Sequence, residues 1–143
     1  MRLDIGLMTF DLPAVAEYAR RAETMGFGAI WSAETRHDPF LPLAVAASAT
    51  TRIGLGTAIA LAFPRSPMIL AHIGWDLQKA SGDRFVMGLG SQVKAHNERR
   101  FSVKWEAPGP RMREVVGALR AIWDSWQHRT PLRFEGRSYR FDL

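Results

Sequence analysis

The chain has 143 residues, 47% of them hydrophobic, which is enough for one domain with a sizeable core and excludes a disordered chain. It has no cysteine, so disulfides and thiolate metal sites are excluded and a cytoplasmic location is expected. The net charge of +5 lies mostly late, between Lys94 and Arg140, but no nucleic-acid motif accompanies it. A solvated basic face or an anionic small ligand accounts for that charge. No apolar run reaches the roughly 18 residues of a membrane span, and Asp4 interrupts what would be a signal-peptide core. The expectation is a soluble, non-exported protein.

Leu3 to Met8 reads as a first strand. Asp11 is placed to cap a helix from Leu12 to Met25, whose Leu12, Val15, Ala16, Ala19 and Ala22 share one face. Gly26 follows where a left-handed C-cap is favoured. Phe27 to Ser32 is a second strand, then comes a polar loop from Ala33 to Pro39. A short helix is expected near Leu41 to Ser48, with Pro42 tolerable in its first turn.

Arg52 to Pro67 is the stretch around which the chain is organised. Ile53 to Ile59 suits a strand buried on both faces. Phe63-Pro64-Arg65 breaks it, and Ser66 and Pro67 open a helix that runs to about Ala80, where Gly82 stops it. Arg84 to Leu89 is a fourth strand. Lys94 to Lys104 is polar and basic, and Ala107-Pro108-Gly109-Pro110 reads as a loop. Arg111 to Trp126 is strongly amphipathic. Leu132 to Phe134 and Ser138 to Phe141 flank Glu135-Gly136-Arg137 as a hairpin. Strands alternating with helices imply a parallel sheet with right-handed crossovers. Four strand-helix units are too few for a closed barrel, which needs eight strands; an open doubly wound sheet could use four or five, but it usually carries a recognisable nucleotide loop.

The ends of parallel strands are where ligands bind in such folds. Thr57 and Ala58 lie where strand three runs out. Glu34, His37 and Asp38 follow strand two. Glu34 and His37 could do acid-base work in a cleft, or His37 and Asp38 could pair as ordinary surface residues. No histidine shows metal-ligand spacing with His37, so no metal site is expected. After strand four, Gly88-Leu89-Gly90-Ser91-Gln92-Val93 lacks the third glycine of a dinucleotide fingerprint. What survives is a glycine-bearing strand end that admits either a ligand or a tight turn. Lys94, His96, Arg99, Arg100 and Lys104 could attract an anion, or form a solvated face. Trp31, near the end of strand two, is the tryptophan most suited to a ligand.

Five segments in register resemble a family. They are Gly26-Phe27-Gly28-Ala29-Ile30-Trp31 with Ser32-Ala33-Glu34; Arg52-Ile53-Gly54-Leu55-Gly56-Thr57; Ser81 through Ser91; Arg111 through Trp123; and Phe134-Glu135-Gly136-Arg137-Ser138-Tyr139. Together they resemble the bacterial luciferase-like monooxygenases, in particular the branch dependent on the deazaflavin coenzyme F420. The resemblance covers essentially the whole chain.

The resemblance implies an α/β fold. Residues 1–143 would be the N-terminal half of a TIM-type (β/α)8 barrel, with four βα units, the start of an insertion region and a C-terminal hairpin. It implies a bulge with a non-prolyl cis peptide at Ala58-Ile59, backing the cofactor ring beside Thr57. Ser91 and Gln92 match contacts to the cofactor's phosphate-bearing tail, and His96 matches a polar contact. Relatives often carry an adjacent Asp-His pair after strand two. Here that place reads Ala33-Glu34 with His37 three residues on, which leaves open which of Glu34 and His37 handles a proton. Val93 stands where some relatives have a further acid.

The implied activity is hydride transfer between C5 of F420 and a small organic substrate, as part of a longer chain. The alternatives are an FMN-dependent monooxygenase and a truncated half-barrel with no independent activity. With half the cradle missing, the isolated chain is expected to bind F420 weakly or not at all. Open edge strands favour association into a homo-oligomer.

Overall fold

The structure, a computed structural model, describes residues 3–143. Met1-Arg2, the start of the stretch read against a signal peptide, lies outside them. The chain divides into two compact units, Met1–Ala60 with Ile73–Leu89, and Leu61–His72 with Gly90–Leu143. No helix among the described residues is long and apolar enough to cross a membrane.

The first unit carries β1 (Ile5–Gly6), α1 (Leu12–Thr24), β2 (Ala29–Ser32), α2 (Leu41–Ala49) and β3 (Gly54–Thr57). After β4 (Ala60–Leu61) and α3 (Pro67–Ser81) comes β5 (Phe85–Val86). The sheet order is β1-β2-β3-β5 and every pairing is parallel. Alternation sets its faces. Ile30 and Ser32 are buried alongside Leu55 and Thr57, their register partners. Trp31 and its partner Gly56 look the other way, and a Cβ on Gly56 would overlap the Trp31 ring. Helices α1 and α2 pack on each other, with Val15, Ala19, Leu43 and Ala46 buried.

The βα order matches the expectation, and the details depart from it at identifiable places. Asp11 occupies the N-cap of α1, but its side chain makes no capping bond. Its carbonyl accepts from Ala14 and Val15, and Pro13 in the first turn removes one donor that would need a cap. Gly26 and Gly82 do take left-handed backbone, with φ of 81° and 62°. Ser66 caps α3 as expected, its Oγ accepting from the Ile69 amide at 3.2 Å.

Strand three is not continuous to Ile59. It pairs over Gly54–Thr57, bulges at Ala58-Ile59 and resumes as β4. Strand four likewise splits into β5 and β6 (Leu89–Gly90). The physical reason is Thr57. Its hydroxyl donates to the Gly88 carbonyl (2.8 Å) and accepts from the Gly88 amide (2.9 Å), so a side chain replaces the ladder there.

The second unit is built on α5 (Pro108–His128), preceded by α4 (Lys94–Arg100). Val115, Ala118, Leu119 and Ile122 of α5 are buried, as are Leu61, Phe63, Leu70 and Ala71. The indole of Trp123 donates to the Ala71 carbonyl at 3.1 Å. The expected loop Ala107 to Pro110 is instead the N-cap and first turn of α5. Proline is at home there, because first-turn amides have no intrahelical partner. The hairpin pairs β7 (Arg133–Glu135) with β8 (Arg140–Asp142), closed by Gly136 to Tyr139.

Candidate functional site

In the first unit the candidate residues gather where β2 and β3 end. Thr57 and Ala60 are buried, whereas Ala58 and Ile59 between them are exposed, Ile59 at 38%. The peptide bond joining these two residues is cis. Three backbone hydrogen bonds fix the bulge. Ala58 N–H donates to Ser32 O (2.8 Å), Glu34 N–H donates to Ile59 O (3.1 Å), and Ala60 N–H donates to Gly88 O (2.8 Å). The loop after β2 and the break after β5 therefore grip the bulge from two sides. A methyl and an isobutyl-sized side chain are presented on a rigid backbone.

Each predicted side chain has a definite place. The Glu34 backbone is tied to the bulge, so its half-buried side chain leaves from directly beside Ile59. His37 is exposed and stacks on Phe10, with centroids 4.8 Å apart. Asp38 accepts from the amides of Phe40 (2.8 Å) and Leu41 (3.1 Å), so its carboxylate is taken up by the main chain leading into α2, whose N-cap position is Phe40. Thr57 is 1% exposed, and its hydroxyl is taken up by Gly88. The close backbone approach for which Gly88 is needed is internal: a Cβ there would overlap the Thr57 carbonyl oxygen. Trp31 lies over Gly56 and donates from Nε1 to Asp4 Oδ2 at 3.0 Å.

In the second unit Ser91, Gln92 and His96 lie on the turn into α4. Gln92 takes left-handed backbone with φ of 58°, and its Oε1 accepts from the Val93 amide at 2.9 Å. Ser91 Oγ lies 3.3 Å from the Gln92 carbonyl, and His96 is exposed. Asn97 holds this turn. It is fully buried, and its Nδ2 donates to Ser91 O (2.9 Å) and Val93 O (3.1 Å). Among the described residues its Oδ1 is buried without a hydrogen-bond partner, as is Ser32 Oγ in the first unit. Neither Asn97 nor Ser32 stands out in the sequence. A polar residue's burial depends on tertiary packing and leaves no periodic signal.

The bulge is thus an exposed, apolar surface at the end of a parallel strand. Residues 2–143 match the family described as luciferase-like monooxygenase. The chain belongs to the luciferase-like monooxygenase family. An uncharacterized protein of Mycobacterium tuberculosis is 52% identical over 139 residues, 97% of this chain and 41% of that protein. The 5,10-methylenetetrahydromethanopterin reductase of Methanolobus tindarius is 32% identical over 110 residues, 76% of this chain and 33% of the reductase. The chain thus spans less than half the length of the curated relatives it matches.

Among solved structures, the coenzyme F420 dependent tetrahydromethanopterin reductase of Methanopyrus kandleri aligns with a TM-score of 0.77 at 21% identity. The alignment covers 100% of this chain and 46% of the reductase. The oxygenating constituent of 3,6-diketocamphane monooxygenase from Pseudomonas putida, in complex with FMN, aligns at 0.83 and 17% identity over 100% of this chain and 44% of that one. At these identities the likeness establishes the fold, the α/β architecture of luciferase-like TIM-type barrels.

Proposed function

We propose that residues 1–143 form a partial barrel domain, four βα units with the start of the insertion region, of an oxidoreductase that transfers hydride between F420 and a small organic substrate. The observation that carries this reading is the bulge: two exposed apolar residues at a parallel strand end, fixed by three backbone bonds. Ala58 and Ile59 back the cofactor ring, and Thr57 holds the bulge through Gly88 instead of touching the ligand. In the second unit Ser91, Gln92 and His96 are assigned to the cofactor's tail. Glu34 and His37 are the acid-base candidates, and Glu34 is favoured because its backbone is bonded to Ile59. When bound, the deazaflavin supplies the hydride chemistry; the protein supplies position and a proton.

F420 is placed ahead of FMN because an F420-dependent reductase is among the structural neighbours and a methylenetetrahydromethanopterin reductase is among the sequence relatives. The FMN complex of a neighbouring monooxygenase keeps a second reading in play. Fluorescence titration of the chain with each cofactor separates them. Saturable binding of F420, weak but about tenfold or more tighter than FMN, is the expected result. Tighter FMN binding transfers the assignment to a flavin monooxygenase, and saturation by neither is the outcome expected of a half-barrel with no independent activity.

A further inference from the structure

We infer that Trp31 is a binding residue of the candidate site: its indole is a flat floor on the open face of the first unit's sheet, against which the inner edge of a planar fused ring held at Ala58-Ile59 comes to rest. The inference rests on the reading of the bulge as the backing of a ring.

Strand register builds the floor. Gly6, Trp31, Gly56 and Val86 stand side by side in one row across β1, β2, β3 and β5. Two of the four have no side chain, and they are the two that flank Trp31. Room is thereby left for an indole to lie flat on the sheet. On the β3 side it does so, because a Cβ on Gly56 would overlap the six-membered ring of the indole. On the β1 side its Nε1 donates to Asp4 Oδ2 at 3.0 Å. The ring system thus spans three strands. Its polar edge is satisfied just ahead of β1, and its apolar edge is laid over β3.

Ile30, Leu55 and Thr57 point to the other face and are buried. On the face of Trp31, Gly6 and Val86 are exposed and Trp31 itself is half-buried. A Cβ on Gly6 would meet nothing, so the row is open beside the indole. Ala58 continues the β3 ladder by donating to Ser32 O at 2.8 Å, and alternation carries it onto the face of Gly56. It lies two residues beyond Gly56, about 7 Å along the strand. A fused ring system laid against Ala58 and Ile59 bridges that distance. Aromatic rings meet best offset or edge to face, and a flat, half-exposed indole offers both.

The test is fluorine NMR of the 143-residue chain carrying 5-fluorotryptophan at its five tryptophans, titrated with F420. Trp31→Phe assigns the Trp31 signal, and the Ala58 and Ile59 methyls are followed in the same titration. A saturable Trp31 shift is expected, larger than those of Trp75, Trp123 and Trp126 and with the same Kd as the methyls. Trp31→Leu is expected to weaken F420 about fivefold, and Trp31→Phe, which keeps a ring, by less than about twofold. Saturable methyl shifts with the Trp31 signal unmoved, or undiminished affinity in Trp31→Leu, overturn the floor and leave the ring-backing reading standing. A Trp31 shift with unmoved methyls overturns the ring-backing reading, and with it the floor's place beneath the bulge. No saturable shift at either contradicts both. If Trp31→Leu does not fold, the fluorine shift on the chain that retains Trp31 still decides.

Discussion

The two ends of the first unit's parallel sheet are held by different means. Ahead of the strands, charged side chains do the holding. Arg84 donates from Nε to Ser81 O and from its terminal nitrogens to Thr50 Oγ1 (3.1 Å), Ile53 O (2.6 Å), Ala47 O (3.3 Å) and Thr50 O (2.9 Å). Glu23 accepts from three consecutive amides, Thr51 (3.0 Å), Arg52 (2.6 Å) and Ile53 (2.9 Å). Beyond the strands, backbone bonds and the Thr57 hydroxyl do the holding, and Ala58 and Ile59 are left exposed. One end spends its charge on its own main chain. The other keeps side chains available. That is the division between a stability face and a functional face in parallel α/β folds.

The largest break in this comparison comes from Arg84→Met. It removes a cation that ties α2, the entry to β3 and the end of α3 together. Several carbonyls lose their donor at once, and the expected loss is about 3 kcal/mol of unfolding free energy by urea titration. A loss within about 0.5 kcal/mol would mean the clamp is ornamental.

Glu23→Gln is milder, about 1 kcal/mol at neutral pH, and carries a pH signature. Burial alone would raise the Glu23 carboxyl, but the three amides and the Arg52 charge hold it below its ordinary value. A depressed folded-state value stabilises above the unfolded carboxylate pKa, and the gain disappears as pH falls through the folded value. The advantage of the unaltered chain over Glu23→Gln is therefore full at neutral pH and shrinks only in acid. An advantage independent of pH would remove the carboxylate from the account.

Much of this architecture is legible in the sequence, for physical reasons that differ by element. Helices α1 and α5 announce themselves because their buried residues recur at helical spacing, and Gly26 and Gly82 mark ends where left-handed backbone is needed. α4 is not announced, since Lys-Ala-His-Asn-Glu-Arg-Arg has no apolar stripe and its one buried residue is Asn97. The first turn of α5 is masked by Pro108 and Pro110, which read as loop residues when isolated from their helix. Composition and periodicity do not give the bulge. Thr57 reads as a strand-end polar residue, and only the family resemblance singles out Ala58-Ile59. The reciprocal bond from Thr57 to Gly88 is 31 residues long in sequence and invisible without the fold.

The central claim is that the exposed bulge, and not the charged end, meets the cofactor. Methyl NMR of the chain during addition of F420 tests it most directly, because even weak binding shifts the resonances of groups against an aromatic ring. The account predicts that the largest shifts fall on Ala58 and Ile59, with the methyls of Ala47 and Thr50 around Arg84 unmoved. Saturable shifts centred on the Arg84 end, or binding that leaves Ala58 and Ile59 unchanged, would contradict it.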